Sequence, residues 1–385
     1  MDSHAPVAPT PPRQRVASLD VLRGAAVLGI LLLNVRSFAM PSDGYVYPVA
    51  DATADVATYA ITTAAGQGKF LAIFAALYGA GVTLLAPRGD GVFLRRTAIL
   101  AGVGLLHMAF VWHGDVLLLY ATCGLAAWAM RHVPTLVLWL VAAAGHAFTV
   151  GVLALLYAAL TLGGQDVPML DGPAGETAAF LGGYGDQLAM RLTLAARDQV
   201  AVFLLFGPAT LSLMLAGMAL MRTGFFSGDW SPRQYGAAAT LGWLGGVGGS
   251  GLIVAAAWRA GWPVDAWVSW GQLGLELLSP LAALGIAASV IATAGRWSFL
   301  APVGRMAFTN YLAQSLLGTF AFYGGWGLGS FGSVGYARQL GFVFAVWVLQ
   351  IAWSHLWLAR FRHGPLEWLW RQGTYGKRLP LRSPP

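Results

Sequence analysis

The chain has 385 residues, of which 57% are hydrophobic and only 10% charged, and its mean hydropathy is +0.64. Soluble domains carry about 25% charged residues, so a water-exposed globular surface is excluded and an all-α, polytopic membrane bundle is expected. The net charge of +7 requires no nucleic acid, because cytoplasmic loops of membrane proteins accumulate Lys and Arg on their own account.

Residues 1–18 are Pro-rich, contain Arg13 and Arg15, and read as a disordered cytoplasmic tail. The apolar run that follows lacks a small-residue cleavage site and reads as a retained first helix, not a removed signal peptide. A helix crosses the hydrocarbon core with about 20 apolar residues. Ten segments approach this: 19–40, 69–86, 95–112, 116–130, 135–162, 200–221, 235–258, 268–293, 299–323 and 340–358. The fourth is short, and the Ala/Thr-rich stretch 53–65 either extends the second or stands apart, which leaves the count open by one. A transmembrane domain thus spans 19–360, with an outer loop at 163–199 and a basic cytoplasmic tail at 361–385.

Charge placement tests the count. Arg88, Arg95 and Arg96 lie between segments two and three, Arg131 between four and five, Arg222 and Arg233 between six and seven, and Arg296 between eight and nine. With Arg13, Arg15 and the six cations of the C-terminal tail, fifteen of the 23 cations fall on one side. Most acids fall on the other, Asp43, Asp55, Asp115 and Glu176 among them. Ten helices with both termini cytoplasmic give this alternation. In the outer loop, Arg191 and Arg197 beside Leu188, Leu192 and Leu194 suggest an amphipathic helix lying on the outer surface. Gly242, Gly245, Gly246 and Gly249 contain two GxxxG spacings, read as close helix packing. The single cysteine, Cys123, excludes an intrachain disulfide and a cysteine-based zinc site, and no metal set is expected.

Function is sought among polar groups inside apolar spans, where each is expensive unless paired or wetted. Helix one carries Asp20 and Arg23, three residues apart on one face, then Asn34 about 16 Å deeper. The third segment passes through His107 and ends in a Gly-containing turn with His113 and Asp115. Lys69 enters segment two from the outer side, and Glu276 lies a few turns into segment eight. Segment nine places Arg305 near the cytoplasm, with Asn310 and Gln314 four apart at mid-depth. Two layers follow. A cytoplasmic layer of Arg23, Arg95, Arg96 and Arg305 suits a phosphorylated ligand, since guanidinium forks match phosphate. A deeper layer of Asn34, His107, Asp115, Glu276, Asn310 and Gln314 offers one proton acceptor and several hydrogen-bonding groups. Blander readings stand beside these: Asp20–Arg23 as a helix-start ion pair, Arg95 and Arg96 as membrane anchors, His146 as a core histidine, and His355 with Trp353 as interfacial belt. His107 and Asp115 are eight residues apart, about two helical turns, and can meet only if the turn folds back.

The opening SLDVLRGAAVLGILLLNVRSFAMP, the middle HGDVLLLYATCGLAAWAM and the closing GRMAFTNYLAQSLLGTFAFYGGWGLG, followed by FRHGPLEWLWRQGTYGK, resemble the YeiB family over essentially the whole chain. The resemblance implies a place among transmembrane acyltransferases, which include the enzymes that decorate bacterial surface sugars and the heparan-α-glucosaminide N-acetyltransferases. Those enzymes open helix one with Leu-Asp-x-x-Arg-Gly, matched by Leu19, Asp20, Arg23 and Gly24. The sugar O-acyltransferases carry a histidine eleven positions after that arginine. Here the position is Asn34, as in the heparan-type enzymes, so His107 becomes the candidate base.

The expectation is an acyltransferase-like protein with no tightly bound cofactor, using acyl-CoA as co-substrate. Arg23 and Arg305 would hold the donor's phosphates, with Asp20 and Lys69 in the binding set. His107 would be the base beside Asp115, while Asn34, Asn310 and Gln314 would position the carbonyl. The partners would be membrane lipid and a small-molecule, lipid or glycan acceptor at the outer face, with self-association left open. The alternative is a proton-coupled transporter or lipid flippase that uses Glu276 in the same polar layer.

Overall fold

The computed structural model describes residues 17–50, 52–164 and 175–382. They are helical throughout, with no strand among the described residues. In chain order the main helices are α1 (Ala17–Ala39), α2 (Thr53–Gly66), α3 (Lys69–Leu85), α4 (Asp90–Phe110), α5 (Leu117–Ala129) and α6 (Thr135–Leu162). They continue with α7 (Tyr184–Arg222), α8 (Pro232–Arg259), α9 (Val264–Ala292), α10 (Ala301–Arg305), α11 (Ala307–Phe322), α12 (Tyr336–Leu358) and α13 (Pro365–Tyr375).

Among the described residues, eight helices are long and apolar enough to cross a membrane. The two predicted segments outside that set are helical too. α5 has 13 residues and rises about 20 Å. The ninth segment is interrupted at Met306, where α10 passes into α11. The ambiguous 53–65 stretch is α2, which runs on into α3 across Gln67 and Gly68 to make one candidate span, Thr53–Arg88.

The outer loop departs from expectation. Its second half is helical, as the leucine and arginine spacing suggests, but is continuous with the next segment: α7 begins at Tyr184 and runs through a π-helical turn, Val202–Phe206, to Arg222. Arg191 is buried at 1% exposure because its Nε donates to Ala109 O, 3.1 Å away, at the end of α4 where backbone carbonyls lack helical partners. Residues 165–174 of the loop, and the tail before Ala17, lie outside the described residues.

α1 is the spine. Two-thirds of its span is buried, against 22–44% for the other seven crossing helices. Its backbone meets that of α10 directly: a Cβ on Gly304 would sit 1.8 Å from Asp20 O, and one on Gly24 2.2 Å from Leu300 O. Glycine is required at both positions. The GxxxG stretch serves the same end, with Gly242 against Gly285 and Gly246 against Ala282 of α9.

The C-terminal segment read as a basic tail contains α13. This helix returns along the bundle end and packs on α4, with the Arg96 guanidinium 3.5 Å from the Trp370 ring centroid. Trp370 Nε1 donates to Arg96 O at 2.9 Å, Arg95 Nε to Thr374 O at 3.0 Å, and Arg88 Nη1 to Tyr375 Oη at 2.8 Å.

Candidate functional site

The helices enclose a cavity of about 600 Å³ at the cation-rich end of the bundle, within the range of small-molecule sites. α1, α3, α4, α5, α10, α11 and α13 supply most of its walls. Six arginines line it: Arg23, Arg88, Arg96, Arg305, Arg362 and Arg371, with Asp20 and Glu367 as the acids. Further in the lining turns apolar and aromatic, through Ile30, Phe74, Leu77, Leu100, Leu117, Tyr120 and Tyr311. From Arg23 to Ile30 the chamber runs roughly 10 Å along α1.

Local sequence explains the placement. Arg23 Nη1 pairs with Asp20 Oδ1 at 2.9 Å, one turn back on α1, and both side chains face the chamber. The helix-start ion pair and the site reading therefore describe the same two residues. Arg305 ends α10 and its Nη2 donates to Arg362 O at 3.2 Å. Arg96 lines the wall while stacked on Trp370, whereas Arg95 is turned to the α13 backbone. Glu367 accepts from Thr309 N at 3.0 Å and Thr309 Oγ1 at 2.6 Å. Burial pushes its carboxyl above the usual range, against the opposing pull of those two bonds.

Beyond the floor lies the second element of the site. The turn after α4 folds back, so that His107 Nδ1 and Asp115 Oδ2 are 2.7 Å apart. Asp115 Oδ1 also accepts from Leu117 N at 2.8 Å and Leu118 N at 3.2 Å, capping α5. Both side chains are buried, at 4% residue exposure each. The remaining ring nitrogen, His107 Nε2, is buried with no hydrogen-bond partner among the described residues. Neither residue touches the chamber directly. Tyr311 does, and its ring centroid is 5.7 Å from that of His107. The arrangement is a histidine oriented by a carboxylate, with Tyr311 of the chamber wall beside its ring.

The other predicted residues lie elsewhere. Asn310 and Gln314 are stitches between helices: Asn310 Nδ2 donates to Val303 O and Ser354 Oγ at 3.1 and 3.2 Å. Gln314 Nε2 donates to Val27 O at 3.0 Å and Gln350 Oε1 at 2.9 Å. Asn34 is half-buried on α1 outside the chamber. Lys69 is fully buried at the start of α3, its Nζ donating to Gln67 O at 3.2 Å. Glu276 is on α9, outside the chamber and in none of the ion pairs among the described residues. His146 is half-buried on α6, outside the chamber. Sequence reasoning passed over Glu367, Trp370 and Arg371, whose signal was the amphipathic PLEWLWRQGTY. It also passed over Tyr311, one residue from Asn310.

No grouping of three or more His, Cys, Asp or Glu residues suited to a metal ion occurs among the described residues. The fold and chamber together define a multi-pass helical membrane protein with an internal amphiphilic site. Residues 220–377 match the family described as "Protein of unknown function (DUF418)". The chain is 34% identical over 377 residues to the "Uncharacterized protein YeiB" of Escherichia coli (strain K12), covering 94% of this chain and 96% of that one. It is 28% identical over 414 residues to the "Uncharacterized protein YxaH" of Bacillus subtilis (strain 168), covering 97% of each. No solved structure matches it. The chain belongs to the YeiB family.

Proposed function

We propose that this is an acyltransferase-like protein of the bacterial inner membrane. It takes an acyl group from a cytoplasmic acyl-CoA donor and passes it to a small-molecule, lipid or glycan acceptor at the outer face. The observation that carries the reading is the chamber's division into an arginine-lined mouth and an apolar throat whose wall includes Tyr311, its ring centroid 5.7 Å from that of His107. A donor thioester has the same two parts, phosphates and an acyl chain. Arg23, Arg305 and the neighbouring arginines would hold the phosphates bidentately.

His107 Nε2 would accept the proton of the acceptor's hydroxyl or amine as that atom attacks the thioester carbonyl; the C–S bond then breaks, and the departing CoA sulfur takes the proton back from His107 and leaves as free CoA thiol. Asp115 would hold the imidazole in the Nδ1–H tautomer and stabilise its charge. Tyr311 must turn aside for that contact. Asn310 and Gln314 enter as the bonds that fix α11, not as groups on the carbonyl. Transport driven through Glu276 draws no support from the chamber, which that residue does not line.

The test is binding and transfer with purified protein and a series of labelled acyl-CoAs from acetyl to palmitoyl. Arg23→Ala should weaken binding about tenfold or more, as for loss of a charge-assisted contact of roughly 1.5–3 kcal/mol. His107→Ala should bind normally but not transfer label. Absence of binding, with wild type and Arg23→Ala indistinguishable, would overturn the reading. Proton-driven uptake into proteoliposomes that is lost in Glu276→Gln would replace it with the transporter.

A further inference from the structure

The chamber's inner end is closed by aromatic side chains. Phe74 and Tyr78 of α3 and Tyr120 of α5 all line it. Tyr120 donates its hydroxyl to Leu71 O at 3.0 Å, on the third residue of α3 and so at the end of that helix farthest from Arg88. Its ring centroid stands 6.3 Å from that of Phe74 and 6.0 Å from that of Tyr78, and the residue is only 4% exposed. The middle ring of this floor is therefore tethered. It cannot swing aside without giving up its bond to α3.

The depth above the floor follows from the helices. Arg96 at the mouth and His107 are eleven residues apart on α4, about 16 Å of helix. Arg88 and Phe74 are fourteen apart on the α3 side, about 21 Å. In a CoA thioester the acyl group hangs on a phosphopantetheine arm, which spans roughly thirteen bonds from phosphorus to sulfur, about 16 Å when extended. Phosphates seated among the arginines thus bring the thioester level with His107, with the arm filling the apolar throat. The α3 wall runs only about 5 Å further before it reaches Phe74. That space takes roughly four carbons.

We infer that Tyr120 sets the length of the transferred group: its tethered ring, backed by Phe74, confines the donor to acyl chains of roughly two to four carbons. This limit presupposes the acyl-CoA reading and adds to it the size of the acyl group and the side chain that bounds it. A longer chain has to double back along the arm or break the bond between Tyr120 and Leu71 O.

The experiment is equilibrium binding of free CoA and of acetyl-, butyryl-, hexanoyl- and octanoyl-CoA to the purified full-length protein, each affinity taken relative to free CoA in the same variant. Wild type should bind octanoyl-CoA at least tenfold more weakly than acetyl-CoA. In Tyr120→Ala the vacated ring admits further methylenes, each worth about fourfold in affinity, so the octanoyl penalty should disappear or reverse. Tyr120→Phe keeps the ring and should retain the preference for short chains, which separates the ring's bulk from its tether. Phe74→Ala is the second variant, opening the same floor without touching the bond to Leu71, and should relax the limit in the same direction. Equal binding of acetyl- and octanoyl-CoA by wild type, or a ratio shifted by neither Tyr120→Ala nor Phe74→Ala, overturns the length limit while binding of free CoA leaves the donor reading in place. Failure of free CoA and of every acyl-CoA to bind overturns both.

Discussion

The polar residues separate into those that bind helices together and those left with unused capacity. Asn310 and Gln314 spend their amides on neighbouring helices, whereas His107 Nε2 and Arg36 Nη1 have no hydrogen-bond partner among the described residues. Spacing alone cannot distinguish the two kinds, because four residues apart on one face serves a ligand or a neighbouring helix equally. His113, in the turn that presents Asp115, adds a measurable consequence. Burial lowers its pKa from 6.5 to about 4, its ring lying against Trp112 and Phe180. As pH falls below 6.5 the unfolded chain binds a proton that the folded protein refuses until about pH 4. Stability should therefore be full above pH 7, decline between pH 6.5 and 4, and level off below, with this group contributing at most about 3 kcal/mol. Unfolding midpoints measured across that range should fall less steeply for His113→Gln than for wild type. Parallel slopes would remove His113 as the cause.

At the scale of elements, α13 is the largest departure from the sequence reading. Its tryptophans and arginines match the composition of an interfacial belt, and composition does not say that the helix turns back onto α4. Trp370 is the anchor, held to Arg96 by both ring and indole N–H and packed on Phe308 at 5.1 Å. Trp370→Ala should cost about 1–3 kcal/mol of docking free energy and expose the segment after Arg360 to limited proteolysis. It should also weaken acyl-CoA binding, because Glu367 and Arg371 leave the chamber wall with it. An uncleaved C-terminus and unchanged affinity would show that α13 is held by other contacts. The ten apolar segments, by contrast, were legible from hydropathy, which is a local property. The His107–Asp115 contact was legible as a pair of candidates but not as a bond, since a six-residue turn, not helix geometry, closes the distance.

Across the whole molecule, several of the cations predicted to share one side lie together, with Arg131 paired to Asp90 at the start of α4 at 2.8 Å. Arg222 donates to Val133 O and Arg131 O, and Arg23, Arg88, Arg96, Arg305 and Arg371 ring the chamber. Chain-order charge counting could find that end but not the chamber, which depends on how helices far apart in the chain, from α1 to α13, come together. If that end faces the cytoplasm, Arg371→Cys in a Cys123→Ala background should react with a membrane-impermeant maleimide in inside-out vesicles and not in intact spheroplasts. Labelling from the outside only would invert the topology and place the arginine mouth away from any cytoplasmic donor.

The contact of α1 with α10, glycine against backbone at Gly24 and Gly304, leaves no side chains to act as bearings between them. That edge of the chamber is a fixed jamb. A guest entering the chamber would then have to displace α13 from α4, the side where the contact is made by side chains and not by backbone against backbone.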